Sequence, residues 1–443
     1  MNIIATPVRE QERIVILDSL RGIAILGILL MNIPHFGLPS AVINDPSLLH
    51  EQGTINYTIW YMVSWIPEGT QRALFSMLFG AGILLFIGGK EKKGGGLMPA
   101  DYFFRRQLWL MVFSLMDVFI LLWYGDILLD YALLGMIMFA FRNLPPKRLL
   151  IGAAFCFVFM LARENRDLYL KKEKIHFGEI AAAIDTTKTK LTFLQQEQLA
   201  AMNSFREKNT VEAKLKEREE SIVRTTESYR TLYEYRTGEY LDTLVHYLFF
   251  GIWDVLLFMF LGMAFFKMGI LTGQASVKTY VLMTVIGLGA GLVISYFRLQ
   301  AIIDSKFDGY AYTRTTVFSF YELSRTFRSI GFLGLIMLLF KSGVFKWFFA
   351  LFRPVGQMAF TNYLMQSLIC GLIFYGIGWG WYGRLERHEI YIVLAVVWLF
   401  QILYSHLWLH FFRFGPLEWA WRSLTYWKRQ PMRRFNKNER NEL

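Results

Sequence analysis

Cysteine is almost missing from this sequence. Its 443 residues hold only Cys156 and Cys370, both inside apolar runs, which excludes a secreted scaffold held by disulfides. Charge is scarce too. Charged side chains make up 19% of the chain, whereas soluble domains carry about 25%, so a water-soluble fold of this length would lack polar surface. The ten-residue alternation of a β-barrel is absent, as are a serine elbow, a phosphate loop and a cysteine pair. The first apolar run begins after Arg13, contains Asp18 and Arg21, and reaches Asn32-Ile33-Pro34 without a small-residue cleavage site. It reads as a signal anchor, not a cleaved signal peptide.

What is present is apolar mass. Hydrophobic residues reach 54% and fall into runs near the roughly 20 residues that a spanning helix needs. They predict an all-α, polytopic integral membrane helix bundle of about ten transmembrane helices. The runs lie at residues 14–36, 69–89, 103–123, 126–142, 147–163, 245–267, 277–298, 322–340, 350–378 and 390–412. Net charge is +12, yet residues 163–243 hold 15 basic and 15 acidic side chains, so the excess lies beside the apolar runs. There it sets topology instead of binding nucleic acid. Arg9, Arg13, Lys90, Lys92, Lys93, Arg105, Arg106, Arg142, Lys147, Arg148, Lys267, Lys278, Lys341, Lys346 and Arg353 occupy alternate connections, and the tail from Arg413 is basic. Residues 37–68 contain no Lys or Arg. Ten spans with N and C termini cytoplasmic put every basic loop inside a bacterial cytoplasmic (inner) membrane.

Four units follow. Residues 1–163 form an N-terminal membrane half of five spans, and 164–243 a charged helical insertion outside the cytoplasm. Residues 244–428 supply five more spans, and 429–443 a basic tail. The insertion reads as a helical hairpin over the membrane face, with segments 191–202 and 211–235 helical; a lid or docking arm is the alternative. Gly94-Gly95-Gly96 reads as a flexible turn.

Ionisable groups within spans are costly and mark sites. Asp18 and Arg21 share a helical face near the cytoplasmic end, while Asn32, Pro34 and His35 reach the outer half. Pro34 frees the carbonyl of Leu30 and invites a kink. Asp117, Asp126, Asp254, Arg325 and Arg328 fall in the outer half as well, and with His35 they predict one polar cavity opening outward. The competing arrangement is a set of buried salt bridges such as Asp254–Arg325. Asn362 and Gln366 share a face of the ninth run, and Gln401 and His406 follow in the tenth. His406 and His410 stand four apart without a third ligand, so no metal is expected. Gly287-Leu288-Gly289-Ala290-Gly291 and Gly80-Ala81-Gly82 read as close helix packing.

Three blocks carry a family likeness. They are Leu17-Asp18-Ser19-Leu20-Arg21-Gly22, then Leu78-Phe79-Gly80-Ala81-Gly82, and Gly125-Asp126-Ile127-Leu128 with Tyr131-Ala132-Leu133. Gly356-Gln357-Met358-Ala359-Phe360-Thr361-Asn362-Tyr363 and Phe414-Gly415-Pro416-Leu417-Glu418-Trp419 add a C-terminal match. Over about residues 13–428 the chain resembles the YeiB-like family of bacterial membrane proteins, which carry a C-terminal domain of unknown function. That family is often labelled as possible transporters. It distantly resembles the transmembrane acyltransferases, including the lysosomal heparan-glucosaminide acetyltransferase and the bacterial sugar O-acyltransferases. Arg21 matches the first-span Arg of the O-acyltransferases; their catalytic His, eleven positions on, is Asn32 here. Many relatives have a His eight residues before the Gly-Asp-Ile-Leu aspartate, a position held by Val118.

The resemblance implies a membrane-embedded acyltransferase-like protein that takes an acyl group, with acyl-CoA the implied donor, and passes it to a small-molecule, lipid or glycan acceptor. Asp126 or His35 is then the base and Arg325 or Arg328 the oxyanion partner. Arg21, Asp18, Asn32, Asp117, Asp254, Asn362 and Gln366 line the substrate path. Two other readings stand beside this one: a transporter or flippase of a small anionic or zwitterionic solute, and a non-catalytic envelope protein that docks a partner through the insertion. The expected surroundings are the lipid bilayer and no nucleic acid, with a homo-oligomer left open.

Overall fold

The computed structural model describes residues 14–91, 97–246 and 251–434, leaving aside the side chains of 89–91, 245 and 246. The expectations for Arg9, Arg13, Lys90, Lys92, Lys93, the glycine turn at 94–96 and the tail beyond residue 434 lie outside the described residues.

The described chain is all α-helix apart from one isolated bridge between Phe412 and Arg433. It opens with α1 (Val15–Gly37), α2 (Ser40–Asn44), α3 (Ile55–Trp65), α4 (Thr70–Glu91), α5 (Met98–Phe119), α6 (Leu128–Phe139) and α7 (Pro146–Ala182). An arm follows, made of α8 (Phe193–Glu207), α9 (Val211–Thr226) and α10 (Tyr229–His246). Then come α11 (Ile252–Lys267), α12 (Val277–Asp304), α13 (Gly309–Thr315), α14 (Tyr321–Ser342), α15 (Lys346–Gln357), α16 (Ala359–Phe374), α17 (Arg387–Phe411) and α18 (Pro416–Tyr426). Among the described residues, five stretches are long and apolar enough to cross a membrane: Val15–Gly37, Ile55–Gly88, Val277–Asp304, Tyr321–Ser342 and Arg387–Phe411.

Local chemistry sets several of the ends. The Ser276 side chain accepts from Thr279 N to start α12, and Gly343 at φ 69° ends α14. A Thr192–Gln195 capping box opens α8 and a Glu386–Glu389 box opens α17. α1 continues through Pro34 to Gly37.

Small residues let the helices touch backbone to backbone. A Cβ on Gly262 of α11 would lie 1.9 Å from the carbonyl oxygen of Met77 on α4, and one on Gly80 would lie 2.3 Å from that of Met259. Gly287 and Gly331 meet in the same way between α12 and α14, as Gly356 meets the Asp18 carbonyl between α15 and α1. Around these seams lies one large core, including Leu20, Met77, Tyr131, Met259 and Met337. A second core around Phe36, Trp123, Phe374 and Tyr382 lies at the arm end.

The arm has three helices where a hairpin is expected, because the 211–235 segment breaks at Glu227 and Ser228 between α9 and α10. α7 runs without a break through residue 163, so the expected boundary falls inside one helix. Lys214 of α9 bonds Asp45 at 2.7 Å and the Phe307 carbonyl at 2.9 Å, and Gly376 N donates to Thr225 O at 3.1 Å. These bonds hold the arm across the loops at one end of the bundle.

Candidate functional site

The site begins with a helix too short to cross. α6 has 12 residues, about 18 Å at 1.5 Å per residue, against roughly 30 Å of hydrocarbon. Between α5 and α6 the chain runs non-helical, with Leu122 at φ 59°, past a stack of Trp123 on Phe36 at 3.9 Å. Irregular backbone of this kind persists at depth only where protein or a cavity surrounds it. Asp126 closes the segment as the cap of α6. Its Oδ2 accepts from Leu128 N at 3.0 Å, from Leu129 N at 3.4 Å and from the Ser114 hydroxyl, and its Oδ1 accepts from Tyr363 Oη at 3.2 Å. Tyr363 sits in the second turn of α16, whose start is pinned by Glu418 of α18 at the end away from the arm. Asp126 therefore lies deeper in the bundle than a turn at the outer face.

Asp117 is fully buried against the Asp126 carboxyl and Ser367, with which it shares hydrogen bonds. Two acids buried side by side are costly unless they share a proton.

A second group joins six helices. Asp254, in the first turn of α11, bonds both Arg72 and Arg325, the latter at 2.9 Å. Arg325 also bonds Glu322 at 2.6 Å. Glu164 of α7 accepts from Tyr321 N at 3.0 Å and Glu322 N at 3.2 Å. Arg328 donates to the carbonyls of Trp65 and Ile66, each at 2.9 Å, and so caps the end of α3, while Arg298 pairs with Glu68 at 2.6 Å. The Asp254–Arg325 pair is the salt bridge weighed against an open cavity, and it is formed.

The third group was not legible as a site. His35 Nδ1 lies 3.1 Å from the hydroxyl of Tyr124. Beside both lies Arg236 of α10, only 2% exposed, with its guanidinium carbon 4.9 Å from the Tyr124 ring centre, 5.2 Å from Tyr375 and 5.3 Å from Tyr382. One of its nitrogens bonds Glu239 at 2.8 Å. Leu232, Arg236 and Tyr240, spaced by four, form the buried stripe of α10. That spacing was the available signal, hidden by an arm otherwise rich in exposed charge. Outside the helices, Glu51 meets Arg387 at 2.8 Å; burial raises its carboxyl above the usual range, against the pull of that arginine.

The remaining expected residues form a ladder and a pair. Asn362 donates to Ser405 at 2.9 Å, Gln366 to Gln401 at 3.1 Å and to Ile25 O at 3.2 Å, and Gln401 back to Asn362 O at 2.8 Å. This satisfies polar groups among α1, α16 and α17. Arg21 pairs with Asp18 at 3.1 Å at the far end of α1, and Asn32 is half-buried one turn before His35. The single outward cavity is thus corrected. Its six groups divide into Asp117–Asp126, Asp254–Arg325 with Arg328 close by, and His35 under Arg236; opposite charge pairs the second set, while the first joins two acids and the third two bases.

Helices of this apolarity, packed around buried carboxylates and guanidiniums, define a helical membrane protein with a polar interior. The family described as protein of unknown function (DUF418) matches residues 265–428. The uncharacterised protein YxaH of Bacillus subtilis is 29% identical over 97% of this chain and 98% of its own. The uncharacterised protein YeiB of Escherichia coli is 28% identical over 94% and 96%, and an uncharacterised 39.9 kDa protein of Bacillus acidopullulyticus is 23% identical over 96% and 97%. These matches support a YeiB-like family for this chain, as its motifs imply. None of these names states an activity, and no solved structure matches.

Proposed function

We propose that the chain crosses a bacterial cytoplasmic membrane ten times, with both termini in the cytoplasm and the arm outside, and transfers an acyl group to an acceptor bound under the arm. One observation carries the chemistry: Asp117 is buried against the Asp126 carboxyl, so the two acids can pass a proton between them. A general base needs a lone pair not already spent on structure. Asp126 spends its own on the cap of α6 and on Tyr363, which favours Asp117 as the base.

In this reading Asp117 takes the proton of the acceptor hydroxyl or amine. The freed oxygen or nitrogen attacks the carbonyl carbon of the acyl donor, an acyl-CoA by resemblance. The carbon–sulfur bond breaks, and the thiolate leaves with the proton. His35 with Tyr124 orients the acceptor at the mouth, and Arg21 serves the donor end. Arg325 and Arg328 hold the wall through Asp254, Glu322 and two carbonyls, and Arg328 keeps Nε and Nη2 unpartnered.

Mass spectrometry of lipids and glycans tests this in deletion, wild-type and overexpressing cells. The expected result is a species heavier by one acyl group that follows protein level and disappears with Asp117→Asn at equal protein amount. Unchanged masses in every strain reject the transfer. The half-helix α6, starting inside the bundle, favours a second reading as a carrier, because transporters build their sites from broken helices. A carrier moves a solute without altering its mass.

A further inference from the structure

At the end of the bundle away from the arm, α1, α14, α15 and α17 enclose a cavity of about 680 Å3. Among the described residues, Lys346, Arg353, His406, His410 and Arg434 line it, with no Asp or Glu. Gln357 of the lining bonds Asp18 at 3.3 Å, and Asp18 is paired with Arg21. Val15, Phe340, Phe349 and Leu409 supply an apolar wall. Arg434 arrives there because the segment after α18 folds back: Arg434 N donates to Phe411 O at 3.0 Å, and Arg413 N to Met432 O at 2.9 Å.

Loop charge that merely sets topology would be spread over solvated connections. Here basic side chains from three separate elements converge on one concavity, and Arg353 keeps a buried Nε without a partner. His406 Nε2 lies 3.0 Å from the Leu351 carbonyl; a carbonyl only accepts, so this nitrogen carries the proton and the ring is held in place. Beside Lys346, Val344 and Trp347 are 70% and 66% exposed, the pairing of Trp with a basic residue found at membrane interfaces. Convergent basic side chains meet the requirement of a phosphate group, with Arg matching its oxygens two at a time, and the apolar wall meets that of an attached chain.

We propose that this cavity binds a phosphate-bearing amphiphile, with the phosphate between Arg353, His410 and Arg434 and the chain along Phe340 and Phe349. Two sources share that chemistry, a membrane phospholipid and a soluble phosphorylated compound. Native mass spectrometry of the full chain, purified in dodecyl maltoside, separates them with three probes: dioctanoyl phosphatidylglycerol, dioctanoylglycerol and adenosine 3′,5′-bisphosphate. Phosphatidylglycerol is expected to bind at least tenfold more tightly than dioctanoylglycerol, and Arg353→Gln to lose that margin. The exposed Lys346→Glu, which removes no packing, is expected to weaken phosphatidylglycerol by a similar factor, while Arg148→Glu, exposed at the start of α7, leaves it unchanged. Displacement of the lipid by the bisphosphate supports the site and assigns it to a soluble ligand; no displacement supports it and assigns it to a lipid. Equal binding of the two dioctanoyl probes, or undiminished lipid binding in a folded Lys346→Glu protein, overturns the proposal.

Discussion

The guanidinium of Arg236 lies 4.9 Å from the ring centre of Tyr124, on the tyrosine whose hydroxyl meets His35. Arg236 belongs to the arm, while Tyr124 belongs to the irregular segment that leads to Asp126. The arm thus closes the bundle mouth with a charge placed among tyrosine rings, where cation–π attraction reaches about 2 kcal/mol or more once water is excluded.

Removing that charge should loosen the arm. Cys370, fully buried in the core beneath Tyr375, is a native reporter. In a Cys156→Ala background, Arg236→Ala is expected to raise the rate of Cys370 labelling by a small maleimide about 30-fold, the equivalent of roughly 2 kcal/mol. Arg236→Lys should fall between the two, since an ammonium keeps the charge but not the planar stacking. Labelling equal to that of the parent would show that α10 is held by its apolar stripe alone.

Asp254 is shared by two arginines, so its loss is expected to cost more than that of an ordinary ion pair. Asp254→Asn leaves Arg72 and Arg325 with one fewer anion, Arg325 being buried, and breaking one side of a buried pair costs about 3–5 kcal/mol. Thermal unfolding of purified protein should show a large drop for Asp254→Asn and a smaller one for Asp254→Glu. A midpoint within a degree of wild type for Asp254→Asn would mean that Glu322 alone neutralises Arg325.

The glycine clusters give a finer contrast. Gly287 packs on Gly331 with 2.6 Å available to a new Cβ, whereas nothing lies within 4 Å of Gly289. Gly287→Ala is expected to lower stability by about 1–3 kcal/mol through overpacking, and Gly289→Ala to be silent. Likewise Gly80→Ala should be harmful beside Met259, while Gly82→Ala meets only the flexible tip of Arg21 at 3.8 Å. Yields of monodisperse protein after detergent extraction would rank the four.

Much of the helical framework was legible because long apolar runs have few alternatives, and the packing role of Gly287 followed from small residues spaced along a span. The sharing of Asp254 between Arg72 and Arg325 was only half legible, since Arg72 sits at the mouth of a run that otherwise looks uniformly apolar. Spacing along one helix says which residues share a face, but not which opposite charge waits on a helix 182 residues away in sequence. Asp126 was legible as important and misread in depth, because a 12-residue helix and a full span give the same local hydropathy. Arg236 was lost among the 15 basic residues of the 163–243 stretch; only folding tells the one buried arginine from its solvated neighbours.

Asp117 and Asp126 separate stability from chemistry. Asp126 caps α6, so Asp126→Ala should destabilise by about 0.5–2 kcal/mol for the cap and further through Ser114 and Tyr363, which lose their acceptor. Asp117 adjoins Asp126 and Ser367, so Asp117→Asn removes one of two neighbouring acids while keeping the shape. It is expected to leave the unfolding midpoint unchanged or raise it, and to abolish the acylated product or the transported flux. A protein selected for stability alone would not retain a carboxylate there. If Asp117→Asn instead unfolds the protein while Asp126→Ala is tolerated, the roles are reversed, and the buried aspartate is part of the scaffold.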